Sequence, residues 1–173
     1  NLAKLKSRPV PVLSDDITDG SDASPVFLVG FPRSGTTLLD TILRSHSGIE
    51  VVEEQPNVRA AKVSIQKNGY DDIINHILPP EVLVEARNAY HAELSKHVSQ
   101  VNPNSVFIDK LPLNLLRTPL IHHLYPRSKY ILALRHPLDT ILSCWMQDFK
   151  LNAVMANMVD LDRIVELYCV AMA

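Results

Sequence analysis

The chain has 173 residues, of which 46% are hydrophobic and 21% are charged, and its formal net charge is −2. This composition excludes a disordered chain, and the near-neutral charge argues against nucleic-acid binding by bulk electrostatics. The sequence contains no run of about 18 apolar residues, which a membrane-spanning helix would need, and its two cysteines are too few for a disulfide scaffold or a structural zinc site. We therefore expect a reduced, soluble, globular protein that is cytoplasmic and has no nucleic-acid partner.

Residues 1–23 are expected to be a linker or the end of an upstream domain. Basic residues give way there to aspartates, and Pro9, Pro11 and Gly20 interrupt any periodicity. At the other end, the apolar pattern of residues 161–169 is still helical where the sequence stops. We therefore expect residues 24–173 to form one domain that is incomplete at its carboxyl end.

Short apolar runs alternate with helical patterns along the rest of the chain. The predicted strands are 26–29, 49–52, 106–108 and 130–134. Helices are predicted over 37–44 and 113–124 and after Pro137. This alternation predicts an α/β fold with a parallel sheet flanked by helices, in which ligands bind at the carboxyl ends of the strands.

Residues 56–104 form a helical insert between two predicted strands. Pro56 begins one helix, and the Pro79-Pro80 pair begins a longer one. An insert of this size is typical of a lid or of a wall of the substrate site, and we expect it to form part of the acceptor wall.

The strongest local signal is the string GFPRSGTT at residues 30–37. It follows a predicted strand and precedes a predicted helix, as a phosphate-binding loop requires. Its GxxxxG spacing is that of nucleoside triphosphatases, but Thr36 stands where those enzymes place a lysine. That replacement, with Arg33 earlier in the loop, favours an anion without a triphosphate tail. A plain glycine-bounded turn is the alternative, which the convergence of Gly, Ser and two Thr at a helix start disfavours.

Three stretches resemble the sulfotransferases that use 3′-phosphoadenosine 5′-phosphosulfate (PAPS). FPRSGTT resembles the family's 5′-phosphosulfate loop, and Arg135 with Ser143, eight residues on, resembles its 3′-phosphate pair. Residues 109–114, DKLPLN, follow another predicted strand, where the family often has a catalytic residue. The resemblance covers residues 25–173 and is closest to the bacterial branch whose domain follows tetratricopeptide repeats, related to protein-tyrosine sulfotransferases. It makes residues 24–173 the amino-terminal portion of a P-loop-type sulfotransferase domain.

The resemblance implies that PAPS is the co-substrate and adenosine 3′,5′-bisphosphate the product. Arg33 would neutralise the transferring sulfonate, and Arg135 would pair with the 3′-phosphate, with Ser143 adding a hydrogen bond. The 5′-phosphate would be held by four loop residues: Ser34, Gly35, Thr36 and Thr37. No metal is expected, because the donor lacks the β,γ charge cluster that magnesium serves.

The acceptor hydroxyl needs a base, and many small-molecule sulfotransferases use a histidine that Lys110 replaces here. Lys110 would instead stabilise the bridge of the leaving group. Glu54, which lies 21 residues after Arg33, resembles the glutamate of the protein-tyrosine branch and is the predicted base. Glu53 is its rival, since neighbours in an extended segment point to opposite sides. Arg33, Glu54 and Lys110 are thus the predicted catalytic residues.

The predicted function is sulfuryl transfer from PAPS to an acceptor hydroxyl or amine. The alternatives are a P-loop nucleotide kinase or triphosphatase and a non-catalytic nucleotide-binding module. Peptide, carbohydrate and lipid acceptors all stay open, as does the oligomeric state. Four other residues receive a structural interpretation: Trp145 and Met146 are expected in the core, and Cys144 and Cys169 are expected to be buried thiols.

Overall fold

The computed structural model describes residues 24–71, 77–98, 105–148, 155–158 and 160–172. Its four strands are β1 (Val26–Gly30), β2 (Ile49–Glu53), β3 (Val106–Lys110) and β4 (Lys129–Ala133). They form one parallel sheet in the order β2-β3-β1-β4. The predicted α/β fold with a parallel sheet is therefore confirmed, and the linker predicted over 1–23 lies outside the described residues.

Helices follow the strands as the alternation predicts. The described helices are α1 (Thr36–Arg44), α2 (Asn57–Lys67), α3 (Pro80–Leu94), α4 (Thr118–Leu124), α5 (Pro137–Trp145) and α6 (Leu161–Ala171), with 3₁₀ turns at Pro112–Arg117 and Met155–Met158. None of these described helices combines the length and the apolar character that spanning a membrane requires.

The predicted helix over 113–124 is split at Pro119, near the start of α4. Pro119 has no backbone N–H to donate to the carbonyl of Leu115, so the α-helical pattern is interrupted there. Thr118 Oγ1 donates to that carbonyl instead, at 3.1 Å. The chain before the break therefore takes the tighter 3₁₀ form.

The strand register places the predicted site residues at one edge of the sheet. Gly30, the last residue of β1, is level with Ala133, the last residue of β4. Glu53 and Lys110, which end β2 and β3, are partners in the register. The segments that leave these strands, including the one with Arg135, therefore start from the same edge.

The helical insert packs on the sheet through α2 and α3. Val58 and Ile65 of α2 and Tyr90 of α3 belong to one buried cluster with Phe27 of β1 and Val52 of β2. Residues 72–76 and 99–104 of the predicted insert lie outside the described part. The insert thus forms a helical layer on the sheet. Its first helix, α2, begins shortly after β2 ends at the sheet edge that carries the predicted site residues.

The expectation that Trp145 and Met146 pack in the core is wrong. Their side chains are 53% and 74% exposed, whereas Cys144 between Ser143 and Trp145 is fully buried. Helix α5 presents its Cys144 face to the phosphate loop, where Sγ donates to the Pro32 carbonyl at 3.2 Å. The buried position of Cys144 is confirmed, but Cys169 is exposed, contrary to expectation.

Candidate functional site

The loop after β1 has the backbone of an anion-binding turn. Ser34 N donates to Phe31 O at 3.1 Å, and Gly35, the N-cap of α1, has a φ of 96°. The first turn of α1 contains no acidic residue, and no side chain caps it. The first N–H groups of α1 and the positive end of its dipole therefore face the loop, as anion binding requires.

The loop's side chains divide into solvent-facing and buried sets. Arg33 and Thr37 are exposed, whereas Ser34 and Thr36 are buried. Ser34 Oγ has no hydrogen-bond partner among the described residues. A buried hydroxyl of this kind calls for a partner beyond the described residues, and a phosphate oxygen at this loop would supply one. The loop therefore fits the anionic donor that the sequence predicts.

Gly30→Ala is expected to distort this loop. A Cβ at Gly30 would lie 2.6 Å from Ser34 Oγ and 2.9 Å from the Ala133 carbonyl oxygen. Overpacking of this kind costs about 1–3 kcal/mol, so urea denaturation should show that loss in the free energy of unfolding. Calorimetry should show weaker binding of adenosine 3′,5′-bisphosphate. Gly48→Ala, which meets only the movable ring of His46 at 3.3 Å, is the control, and equal losses in both variants would contradict the prediction.

The structure brings Arg33, Arg135 and Ser143 together. Arg33 Nε donates to Ser143 Oγ at 3.1 Å, and Arg135 Nη1 donates to the Arg33 carbonyl at 3.3 Å. Asp139 Oδ2, in the first turn of α5, lies 3.9 Å from Arg135 Nε. Arg33 is 110 residues from Ser143 and 102 residues from Arg135 in the sequence. The loop and the Arg135–Ser143 segment thus come together in one basic cluster.

Lys110 lies between the two candidate bases. Its Nζ donates to Glu53 Oε1 and to Glu54 Oε1, both at 2.9 Å, and its side chain is fully buried while the two carboxylates are about half exposed. Glu54 N also donates to the Lys110 carbonyl at 2.7 Å. The expectation that the two glutamates point to opposite sides is wrong, because Glu54 has left-handed backbone (φ 54°) that breaks the alternation of an extended strand.

The two glutamates keep Lys110 charged. Burial by itself lowers the pKa of Lys110, but the hydrogen bonds to Glu53 and Glu54 and the negative charges of these two residues together outweigh it and raise that pKa above its usual value. A lysine that is charged at neutral pH donates hydrogen bonds and cannot accept a proton. Lys110 therefore has the positive charge needed to stabilise negative charge that develops during a reaction.

Two of the predicted catalytic residues have strained backbone. Among the described residues other than glycine, positive φ occurs at Arg33 (69°) and Glu54 (54°). Such a conformation costs about 1–3 kcal/mol and persists where surrounding contacts impose it, often at active sites. Strain at these two positions therefore marks the same sheet edge as the motifs do.

Arg44 is a member of the site that the sequence analysis missed. It donates to Asp40 Oδ1 at 2.5 Å and lies 3.5 Å from Glu53 Oε2. The i,i+4 spacing of Asp40 and Arg44 on α1 is the signal that could have found it. Glu53 thus has two cationic neighbours, whereas Lys110 is the only side-chain partner of Glu54 among the described residues.

Comparison with known proteins gives several partial matches. An uncharacterized protein of Aquifex aeolicus is 31% identical over 72% of this chain. A putative protein-tyrosine sulfotransferase of Caenorhabditis briggsae is 32% identical over 64% of the chain, and protein-tyrosine sulfotransferase 1 of Danio rerio is 28% identical over 71%. The matches cover 17%, 39% and 36% of these relatives, so the chain spans well under half of their length.

The family model described as "Sulfotransferase family" matches residues 25–172. The link to tetratricopeptide repeats and the bounds of the domain stay predictions. The match covers nearly the whole chain, including the phosphate loop, the Lys110 segment and the Arg135–Ser143 segment. The chain belongs to the sulfotransferase family.

Proposed function

We propose that the chain transfers a sulfuryl group from PAPS to an acceptor hydroxyl, with Glu54 as the base. The observation that carries this proposal is the arrangement at one sheet edge. The phosphate loop with Arg33 and its basic partners lies there, and so does the charged Lys110 with its paired glutamates. An anion site beside a cation and a carboxylate is what in-line sulfuryl transfer requires.

The basic cluster and the loop bind the donor. Backbone N–H groups at the start of α1 and the Ser34 hydroxyl hold the 5′-phosphate, together with Gly35, Thr36 and Thr37. Arg135 and Ser143 hold the 3′-phosphate, and Arg33 lies over the sulfonate oxygens. The hydrogen bond between Arg33 and Ser143 supports a single site for both ends of the donor.

Transfer moves one proton and one sulfuryl group. Glu54 takes the proton of the acceptor hydroxyl as the new oxygen–sulfur bond forms. The bond between sulfur and the bridging phosphate oxygen breaks, and the electron pair leaves with adenosine 3′,5′-bisphosphate. Lys110 stabilises the charge on that bridging oxygen, and Arg33 stabilises the charge on the sulfonate. The step as proposed uses side chains of this chain, and no metal takes part in it.

A hydroxyl on a protein or peptide is the acceptor class to test first. Two of the relatives are named protein-tyrosine sulfotransferases. A carboxylate base also fits that branch and the carbohydrate branch better than it fits the branch that acts on small phenols. Carbohydrate acceptors are the second class to test.

Calorimetric titration tests the donor site. Metal-free adenosine 3′,5′-bisphosphate is expected to bind tightly, and 5′-AMP and Mg-ATP weakly or not at all. Arg135→Ala should weaken bisphosphate binding by at least about tenfold, since one charge-assisted hydrogen bond contributes roughly 1.5–3 kcal/mol. Lys129→Ala is the control, because Lys129 is exposed at the opposite end of β4. Preference for Mg-ATP would replace the proposal with a nucleotide kinase.

A further inference from the structure

Asp109 is a fully buried carboxyl that precedes Lys110 on β3. Asn57 Nδ2 donates to its Oδ2 at 3.1 Å, and Tyr90 Oη donates to the same oxygen at 2.8 Å. Asn57 is the first residue of α2, and Tyr90 lies on α3. One carboxylate oxygen therefore fastens both helices of the insert to the central part of the sheet.

Two side-chain oxygens of Asp109 and Asn57 lack a hydrogen-bond partner in the described part of the chain. Asp109 Oδ1 and Asn57 Oδ1 are buried and have no hydrogen-bond partner among the described residues. Both atoms are acceptors while Asp109 is ionised, so neither can satisfy the other. A proton on Asp109 Oδ1 turns that atom into a donor, and Asn57 Oδ1 is an acceptor that lacks one. The ionised carboxylate, by contrast, accepts the hydrogen bonds of Asn57 and Tyr90 more strongly than the neutral acid does.

The buried surroundings of Asp109 favour its protonated form. Burial raises the pKa of Asp109 to about 6, although the hydrogen bonds from Asn57 and Tyr90 act against it. Burial and then the nearby Asp109 raise the pKa of Tyr90 well above its usual value, so Tyr90 stays a donor. Phe27 and Val52, the register partners of Asp109 on β1 and β2, carry no titratable group. Asp109 therefore changes its protonation near pH 6.

The same two chain segments carry the proposed base and its cation. Glu54 lies three residues before Asn57, and Lys110 follows Asp109 directly. Glu54 keeps its left-handed backbone while its N–H donates to the Lys110 carbonyl at 2.7 Å. Strained backbone persists only where the surrounding contacts impose it. The Asn57–Asp109 hydrogen bond supplies the contact on the carboxyl side of Glu54.

We propose that Asp109 is a positioning residue for sulfuryl transfer. By anchoring Asn57 and Tyr90 to β3, it holds Glu54 against Lys110. Asp109 is fully buried and acts only through these neighbours. The inference rests on the proposed function, because it concerns the geometry of the base.

Kinetics of substituted proteins test the anchor. Asp109→Leu removes both hydrogen bonds and is expected to lower kcat by about 100-fold, the cost of a misplacement of roughly 1 Å. The dissociation constant for adenosine 3′,5′-bisphosphate should change by less than about threefold, because the phosphate loop does not depend on this anchor. Asp109→Asn, whose amide can accept and donate, should restore most of kcat. If Asp109→Leu does not fold, Asn57→Ala, which removes one hydrogen bond, takes its place.

The pH dependence supplies a readout that a purely structural residue would not move. The ratio of kcat for Asp109→Asn to kcat for the wild type is expected to fall as pH increases through 6, since only wild-type Asp109 ionises and then accepts the hydrogen bonds of Asn57 and Tyr90 more strongly. Glu166→Gln, an exposed carboxyl on α6, is the control and should give a flat ratio.

The pH dependence of the unfolding equilibrium measures the same protonation of Asp109. The folded pKa of about 6 lies above the ordinary value of 3.8. The stabilisation is therefore complete below pH 3.8 and is lost as pH rises through 6. Asp109 should contribute a change of roughly 100-fold in the unfolding equilibrium constant over that range, at tenfold per pKa unit, and the wild type should differ from Asp109→Asn by that contribution.

Three results would overturn the proposal. A flat kcat ratio across pH 6 would make Asp109 structural only, and so would wild-type kcat in Asp109→Leu. Equal losses of kcat and of bisphosphate affinity would point to general disruption of the fold. A wild-type chain that neither binds the bisphosphate nor transfers a sulfuryl group would overturn the proposed function, and this inference with it. The other results leave the proposed function intact.

Discussion

Glu54→Gln is expected to lower kcat by about 10²–10⁴-fold, the usual contribution of a general base. The amide oxygen of glutamine can still accept the hydrogen bond from Lys110, so the local geometry is preserved while the proton acceptor is lost. The Michaelis constant for the donor and the affinity for the bisphosphate should stay nearly unchanged. Steady-state kinetics with a tyrosine-containing peptide, together with calorimetry, measure the two effects separately.

Glu53→Gln is the matched control for that experiment. Glu53 makes the same 2.9 Å contact with Lys110, but Arg44 also lies 3.5 Å from its carboxylate. A carboxylate between two cations is held in place by both, whereas Glu54 contacts only one cation among the described residues. We expect kcat of Glu53→Gln to fall by less than about tenfold. The reverse order of losses would identify Glu53 as the base.

The sheet could be predicted from the sequence because its strands are short apolar runs between helical patterns. The strand ends differ from the prediction by one or two residues: β3 runs to Lys110 where 106–108 was predicted, and β4 runs over Lys129–Ala133 instead of 130–134. Exposure was predicted less well. Helical spacing shows which residues share a face of α5, but it does not show whether another element covers that face. Trp145 and Met146 are exposed for that reason in the part of the chain that the structure describes.

The position of a site residue was predictable from the sequence where that residue lies at or just after the end of a strand. Arg33, Lys110 and Arg135 all follow or end parallel strands, so their shared edge comes from the topology. The bonds between distant segments were not predictable. Asn57 and Asp109 are 52 residues apart, and no periodicity relates them. Glu54 has left-handed backbone, which brings its side chain to Lys110. That conformation is likewise not predictable from a glutamate in the sequence.

Lys110→Met is expected to lower kcat by about 10²–10³-fold, as removal of one preorganised donor does in other enzymes. Methionine has a similar length, so the buried stem position stays filled while the charge is lost. The loss should appear in kcat more than in donor affinity, because the bridging oxygen gains its negative charge only as the bond breaks. Lys129→Met, at an exposed lysine of β4, should leave kcat unchanged.

A second effect of Lys110→Met has to be separated from the first. Lys110 is the cation between Glu53 and Glu54, so its loss leaves two neighbouring carboxylates that repel each other. The double variant Lys110→Met with Glu53→Gln removes that repulsion without restoring a cation at the bridge. If Lys110 stabilises the leaving group, kcat of the double variant stays as low as that of Lys110→Met. Recovery to within about tenfold of Glu53→Gln would show instead that Lys110 only holds the glutamates in place.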